Sequence, residues 1–305
     1  MDEFPKTWGS DSTEKIISDR MSLWQFKKDS IAFSLGFHKE IGYLEFRNYI
    51  SIPEIMAYES CLLINKKLLS ISPPLQAFQS YRIYLYDMIS DNHLEIFDEP
   101  TILGRFGENY TRNLAKIYEN AVKSLSEELE INGVKNALFL AKKQYSLTIK
   151  NDKIRNKKYD KLPSPDFAIK NNNDTAGGHA RYISKLSGGN NILEEIVGSL
   201  ANAMACCDDF VDMIRGDDLK NKKLTIPLSF LEEEIGRLED FSFEELKRLA
   251  LEEKTISKTK NYITKELENA VIKLRSFNEY KNSLFYLFIS DIKDFLNNFP
   301  DIYLK

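Results

Sequence analysis

The sequence predicts an all-α bundle, and three observations predict it. Apolar residues recur at spacings of three and four, as in Ile192, Leu193, Ile196, Val197 and Leu200, and again in Phe243, Leu246, Leu249 and Ala250. No stretch carries the period-two alternation of a half-buried strand. Backbone-breaking residues are sparse, 13 Gly and 9 Pro in 305 residues, which argues against a turn-rich β fold and against disorder.

Taken in order, residues 53–71 and 76–88 have helix-forming composition and are separated by Ser72-Pro73-Pro74. Glu99-Pro100 marks the next turn, and 109–148 is the next helical stretch. Segment 150–161 is the most polar, with Lys150, Lys153, Arg155, Lys157, Lys158 and Lys161 among few apolar residues. It reads as a solvated mobile loop, or as a lid over an anionic ligand. Leu162-Pro163-Ser164-Pro165, Gly177-Gly178 and Gly188-Gly189 predict further turns. Helical stretches follow at 193–215 and 258–296, separated by breakers from Gly216 through Pro227. With no internal repeat and no long linker, residues 1–305 form one domain, a helical bundle around a central cavity. Residues 1–25 are expected to form a loosely ordered N-terminal segment.

Composition narrows the function. Forty-two Lys and Arg against 46 Asp and Glu give a net charge of −4, so no global basic field favours nucleic acid. An anionic ligand must be held locally, by a few cations or by metal ions. The mean hydropathy of −0.38 and the lack of an 18-residue apolar run predict a soluble protein with no spanning helix. The acidic, polar start lacks the order of a signal peptide, and a cytosolic location is expected. Cys61, Cys206 and Cys207 cannot build a disulfide framework, which agrees with a reducing compartment. His38, His93 and His179 are scattered and supply no zinc spacing.

Two acidic clusters carry the chemistry. In Tyr86-Asp87-Met88-Ile89-Ser90-Asp91, the two aspartates are four apart and share a helix face. In Cys207-Asp208-Asp209-Phe210-Val211-Asp212, Asp208 and Asp212 do the same, after a turn from Leu200 to Cys206 that reads as small and apolar. Carboxylates kept together raise one another's pKa unless a cation neutralises them, and magnesium is the natural partner of all-oxygen ligands. Two such groups facing across an apolar cavity could hold magnesium against a diphosphate while its hydrocarbon tail fills the cavity.

The stretch LANAMACCDDFVD, with DDLKNKKLTIPL after it, resembles the second aspartate-rich motif and the Lys-x-Thr-x-Pro turn of the trans-polyprenyl diphosphate synthase family, which has the all-α class I isoprenoid synthase fold. Asp208, Asp209 and Asp212 fall on the motif's aspartates, and Lys223, Thr225 and Pro227 on the turn. Met204-Ala205 stands where the family has Phe-Gln. Glu99-Pro100-Thr101 and Phe106-Gly107-Glu108 resemble the segment after the family's first motif, and counting back thirteen residues from Pro100 places Asp87 on its first aspartate and Asp91 on its last. Met88 replaces the second. The likeness covers roughly residues 30–235.

The resemblance implies a magnesium-dependent enzyme, with three ions, that acts on an allylic prenyl diphosphate. It implies Asp87, Asp91, Asp208, Asp209 and Asp212 as catalytic residues, with Asp87, Asp91, Asp208 and Asp212 on the metal. Lys223, Thr175, Ile83, Tyr84 and Met204 would bind substrate, with Ile83 and Tyr84 limiting the tail to about ten or fifteen carbons. A homodimer is expected. The family's Arg-Arg-Gly falls on Ile96-Phe97-Asp98, its Gly-Lys-Arg loosely on Gly42-Tyr43-Leu44, and its Lys-Thr on Asp174-Thr175. Those cations bind isopentenyl diphosphate, so their loss removes several charge-assisted bonds of roughly 1.5–3 kcal/mol each and should cripple elongation. The expectation is a terpene synthase that quenches the cation without isopentenyl diphosphate. Two alternatives stay open: transfer to another acceptor, as in the isoprenyl transferases that modify a tryptophan of a peptide pheromone, and a non-catalytic subunit of a heteromeric synthase.

Overall fold

The structure, a computed structural model, describes Lys28, Ser30 and residues 51–90, 92–96, 99–155, 157, 159–278 and 280–299. The expectations for residues 1–25, His38, Gly42 to Leu44, Asp91, Phe97 and Asp98 lie outside the described residues. Twelve α-helices of the described residues are α1 (Ile52–Ile64), α2 (Ser72–Ser90), α3 (Ile102–Ile131), α4 (Ala137–Arg155), α5 (Pro165–Asn172), α6 (Gly178–Leu186), α7 (Asn191–Arg215), α8 (Asp217–Asn221), α9 (Ile226–Ile235), α10 (Phe243–Ala250), α11 (Glu253–Leu274) and α12 (Leu284–Asn298). A two-residue antiparallel ladder, β1 (Glu95–Ile96) against β2 (Glu99–Pro100), is the strand content that periodicity did not predict. Two paired residues per strand are too short to carry an alternation.

Side-chain caps explain half of the twelve helix starts. Ser51, Thr101, Ser164, Thr225, Ser242 and Ser283 each accept a bond from a backbone N–H of the helix they open, and Ser242 forms a reciprocal capping box with Glu245. Two predicted turns and part of one predicted loop are corrected. Ser72-Pro73-Pro74 begins α2 rather than preceding it, because the first turn of a helix has no use for the N–H that proline lacks. Gly177-Gly178 lies inside a continuous helix, where a π-helical turn, Asn173–Gly177, joins α5 to α6. Segment 150–155 is not loop, since α4 continues to Arg155. The predicted stretch 109–148 is two helices, broken where Gly133 and Asn136 take positive φ.

Contacts divide the chain into two compact units. Among the described residues, one holds Lys28, Ser30, residues 51–145 and Tyr182–Asn190; the other holds Ser146–Arg181 and residues 191–299. In the first, α2 packs on α3. Leu75, Phe78, Tyr81, Leu85 and Met88 on α2, and Leu114, Ala115, Tyr118, Ala121 and Leu125 on α3, are buried in one core cluster. In the second, α7 packs on α11, with Leu193, Ile196, Val197, Leu200, Ala203, Phe210 and Val211 buried on α7 and Ile263, Leu267, Ala270 and Leu274 on α11. Burial almost all round α7 makes it the central helix of its unit. No helix of the described residues is long and apolar enough to cross a membrane.

Candidate active site

The first acidic motif closes α2. The buried stripe that includes Phe78, Tyr81 and Leu85 leaves Ile83, Tyr84 and Asp87 half-buried on another face, at the three- and four-residue spacings that make helix neighbours. Tyr84 packs on Tyr81 at 5.6 Å between ring centroids, and Tyr81 on Tyr118 at 5.1 Å, so Tyr84 is the outer member of an aromatic cluster. Ser90 donates through Oγ to the carbonyl of Asp87 at 3.2 Å.

Arg82, one turn before Tyr86, does not enter that cluster. Its guanidinium stacks 4.1 Å from the Tyr145 ring centroid and pairs with Glu119 at 3.1 Å. A buried polar seam continues along the same face of α2. Gln79 Nε2 donates to the carbonyl of Ala141 at 2.8 Å, Gln76 and Gln144 exchange amide hydrogen bonds of 3.3 and 2.6 Å, and the Ser72 and Ser187 hydroxyls lie 2.8 Å apart. Burial pushes the Tyr145 hydroxyl up to about 12, against the opposing pull of Arg82.

The second motif closes α7. Asp208 is exposed and Asp212 half-buried, while Asp209, between them, turns inward and is 5% exposed. Asp209 Oδ1 accepts from the Arg155 guanidinium at 2.5 Å. Gly216 then ends the helix with φ 98° and lies against the Phe243 ring, where an added Cβ would stand 2.7 Å from a ring carbon. Asp218 on α8 is buried, and its Oδ2 has no hydrogen-bond partner. Although Asp208 keeps solvent exposure, partial loss of solvation, then the charges of Asp212 and Asp209, push its carboxyl up to about 6. Loss of solvation, then Asp209, push Asp218 up to about 7. Desolvation raises Asp209 as well, with Arg155 opposing it.

The turn after this motif is built by the chain's own bonds. Lys223 N donates to the carbonyl of Asp218 and Leu224 N to that of Arg155, both at 3.3 Å. Thr225 caps α9 through the N–H of Leu228, and Pro227 sits in its first turn. Thr225 and Pro227 therefore have a capping role, and Lys223 is half-buried.

Met204 is buried on α7 and Thr175 is buried in the π turn, its hydroxyl donating to the carbonyl of Asn171 at 2.6 Å. Exposed Asp174 pairs with Lys170. Sequence reasoning missed three groups here. Arg155 sat in a segment read as loop. Asn202, the one polar residue in the run from Leu200 to Cys206, is buried and donates to Asn173 Oδ1 at 3.2 Å and Glu266 Oε2 at 3.3 Å. Gly177 faces it, where a Cβ would stand 2.6 Å from Asn202 Oδ1. The signals were a lone polar residue in an apolar run and a glycine opposite it. An open cleft lined by Asn65, Asn132, Lys135, Leu140, Lys185 and Gly188 contains none of the predicted site residues.

Among the described residues, no three His, Cys, Asp or Glu side chains converge as a ligand set. Magnesium is commonly held by one or two carboxylates with phosphate oxygens and water completing the shell. Asp208 and Asp212 supply two carboxylates on one face of α7. The all-oxygen donor set fits a hard divalent cation. Asp87 belongs to the other unit.

No family model matches the sequence, and no curated protein sequence does. Solved structures do match. Decaprenyl diphosphate synthase from Rhodobacter capsulatus has a TM-score of 0.75 at 12% identity over 94% of this chain and 98% of its own. Heptaprenyl diphosphate synthase from Staphylococcus aureus has a TM-score of 0.75 at 11% identity over 92% of this chain and 98% of its own. A polyprenyl synthase from Caulobacter crescentus, solved with calcium and isoprenyl diphosphate, has a TM-score of 0.68 at 14% identity over 95% and 98%. Identities this low bear on architecture alone, and on that ground the chain has the fold of the polyprenyl diphosphate synthases, the all-α class I isoprenoid synthase fold.

Proposed function

We propose that the protein is a divalent-metal-dependent enzyme that ionises an allylic prenyl diphosphate and quenches the resulting cation without isopentenyl diphosphate, as a terpene synthase does. The observation that carries this reading is the end of α7: Asp208 and Asp212 stand on one face while Asp209 is drawn inward by Arg155. Two oxygen-donor side chains in this fold suit metal that is shared with a diphosphate. Bound with the diphosphate, magnesium supplies electrostatic stabilisation of the charge that develops on the leaving group. Lys223, fixed beside the motif through its backbone bond to Asp218, adds a cation for the same anion. Asp87 and Asp91 are read as metal-binding carboxylates on the resemblance of their motif alone.

Isopentenyl diphosphate is left out of the reaction because its cations are replaced. Asp174 stands where the resemblance places a lysine, and it is engaged by Lys170 on the protein surface. A carboxylate there repels a second diphosphate instead of binding it. The tail is bounded by the Tyr84 cluster, which favours substrates of about ten or fifteen carbons.

The test is diphosphate release from geranyl, farnesyl and geranylgeranyl diphosphates with magnesium. Release should occur with the wild type and be lost in Asp87→Ala and Asp208→Ala, with the helical circular dichroism unchanged. Near wild-type turnover in either variant would remove that motif from the metal site.

A further inference from the structure

We propose that Arg155 is a positioning residue, the resident counter-cation of the acidic motif, which keeps Asp209 out of the metal-binding set and anchors the turn that carries Lys223. The proposal rests on the reading of Asp208 and Asp212 as metal ligands. It gives Arg155 a role other than the loop or lid that composition suggests for its segment.

Arg155 is the last residue of α4 and lies 54 positions from Asp209 in sequence, so the pair is a tertiary contact. The two side chains are 27% and 8% exposed. A carboxylate at that depth is costly unless paired. A guanidinium suits the task because it stays charged and offers several donors in a fixed fork. Asp209 on α7, then Asp218 on α8 and Asp208 on α7, act on its charge, and Lys223 on the adjoining turn is a nearby cation. The backbone of the same residue makes a second link, accepting from Leu224 N at 3.3 Å, next to Lys223. One residue thus joins the end of α4, the acidic end of α7 and the start of the Lys223 turn.

Two consequences follow for charge. With Asp209 matched by Arg155, the motif offers a divalent cation the two outer aspartates and not three. If Asp209 is neutralised and Arg155 is kept, an unmatched cation is left near Asp208, and it opposes the metal through space. Removing both charges together removes that opposition. A direct metal contact by Asp209 predicts otherwise, because a lost ligand is not replaced by deleting a neighbouring cation.

The experiment measures Mn2+ binding to the full chain with inorganic diphosphate present, by electron paramagnetic resonance, so no turnover is needed. Asp209→Asn should weaken Mn2+ binding about fivefold or more, from one unmatched charge. Arg155→Gln combined with Asp209→Asn, a pair that can still share a hydrogen bond and so protects folding, should return binding to within about twofold of wild type. Arg155→Lys should preserve binding, and Arg155→Gln alone should speed amide hydrogen exchange in the 217–225 segment. A double variant that stays as weak as Asp209→Asn would overturn the proposal and make Asp209 a metal ligand. Unchanged binding in every variant would overturn it as well, leaving the pair merely structural. If the wild type binds no Mn2+, both this proposal and the metal reading fall. Failure of this proposal alone looks different: the wild type binds, Asp208→Ala does not, and the double variant fails to recover.

Discussion

Replacing Arg82 with Met tests how α2 is held in the register that presents Asp87. The Met side chain keeps most of the aliphatic stem and removes the guanidinium. Three terms set the magnitude. The stack on Tyr145, at 4.1 Å and with the Arg82 side chain only 10% exposed, is worth about 2 kcal/mol when desolvated. The bond to Glu119, whose side chain is 48% exposed, adds about 0.5 kcal/mol after solvent screening. Against these, Arg82 Nε is buried without a hydrogen-bond partner, so deleting it recovers roughly 1 kcal/mol. The net loss is about 1–2 kcal/mol, and Glu119→Gln should cost under about 0.5 kcal/mol. Urea unfolding followed by far-ultraviolet circular dichroism measures both. The reasoning is refuted if Arg82→Met leaves stability unchanged, or if Glu119→Gln costs as much as Arg82→Met, since the ring and not the acid is argued to hold the cation.

Other outcomes follow from the same contacts. Gln76→Leu should destabilise by about 1–3 kcal/mol by stranding the Gln144 amide, while Gln76→Leu with Gln144→Leu should be closer to neutral; equal losses in the two would place the effect in packing instead. Tyr84→Ala should raise turnover of a twenty-carbon diphosphate relative to a fifteen-carbon one by about tenfold, from about 1–3 kcal/mol of relieved overpacking. An unchanged ratio means that another wall sets the length. Given both an allylic diphosphate and isopentenyl diphosphate, the protein should form little longer linear diphosphate, as measured by liquid chromatography with mass spectrometry. Efficient elongation contradicts the role assigned to Asp174.

Much of the fold was legible because helices advertise their buried face. The spacing of Leu193, Ile196, Val197 and Leu200 located α7 to within two residues of its start and to its last residue. Proline misled where context changes its meaning: Pro73 and Pro74 break a helix interior but fit its first turn. Gly177-Gly178 looked like a turn because glycine is equally at home in one, whereas here the missing Cβ lets Asn202 approach the π turn. The lysine-rich segment after Lys150 looked like loop by composition, yet residues 150–155 extend α4 and end on a basic residue that suits a helix C-terminus. In the site, the spacing of Asp208 and Asp212 exposed their shared face directly. The inward turn of Asp209 could not be read from spacing, because it depends on an arginine 54 positions away. The same holds for Arg82, whose partners Glu119 and Tyr145 come from two other helices.

The central claim is ionisation of an allylic diphosphate without a second diphosphate. It is tested most directly by incubating the purified protein with farnesyl diphosphate and magnesium, no isopentenyl diphosphate being present, and measuring released inorganic diphosphate together with the organic product by gas chromatography and mass spectrometry. The account predicts magnesium-dependent release matched by a dephosphorylated fifteen-carbon product, with both lost in Asp208→Ala. No release from farnesyl or geranyl diphosphate, or release that persists in Asp208→Ala, would contradict it.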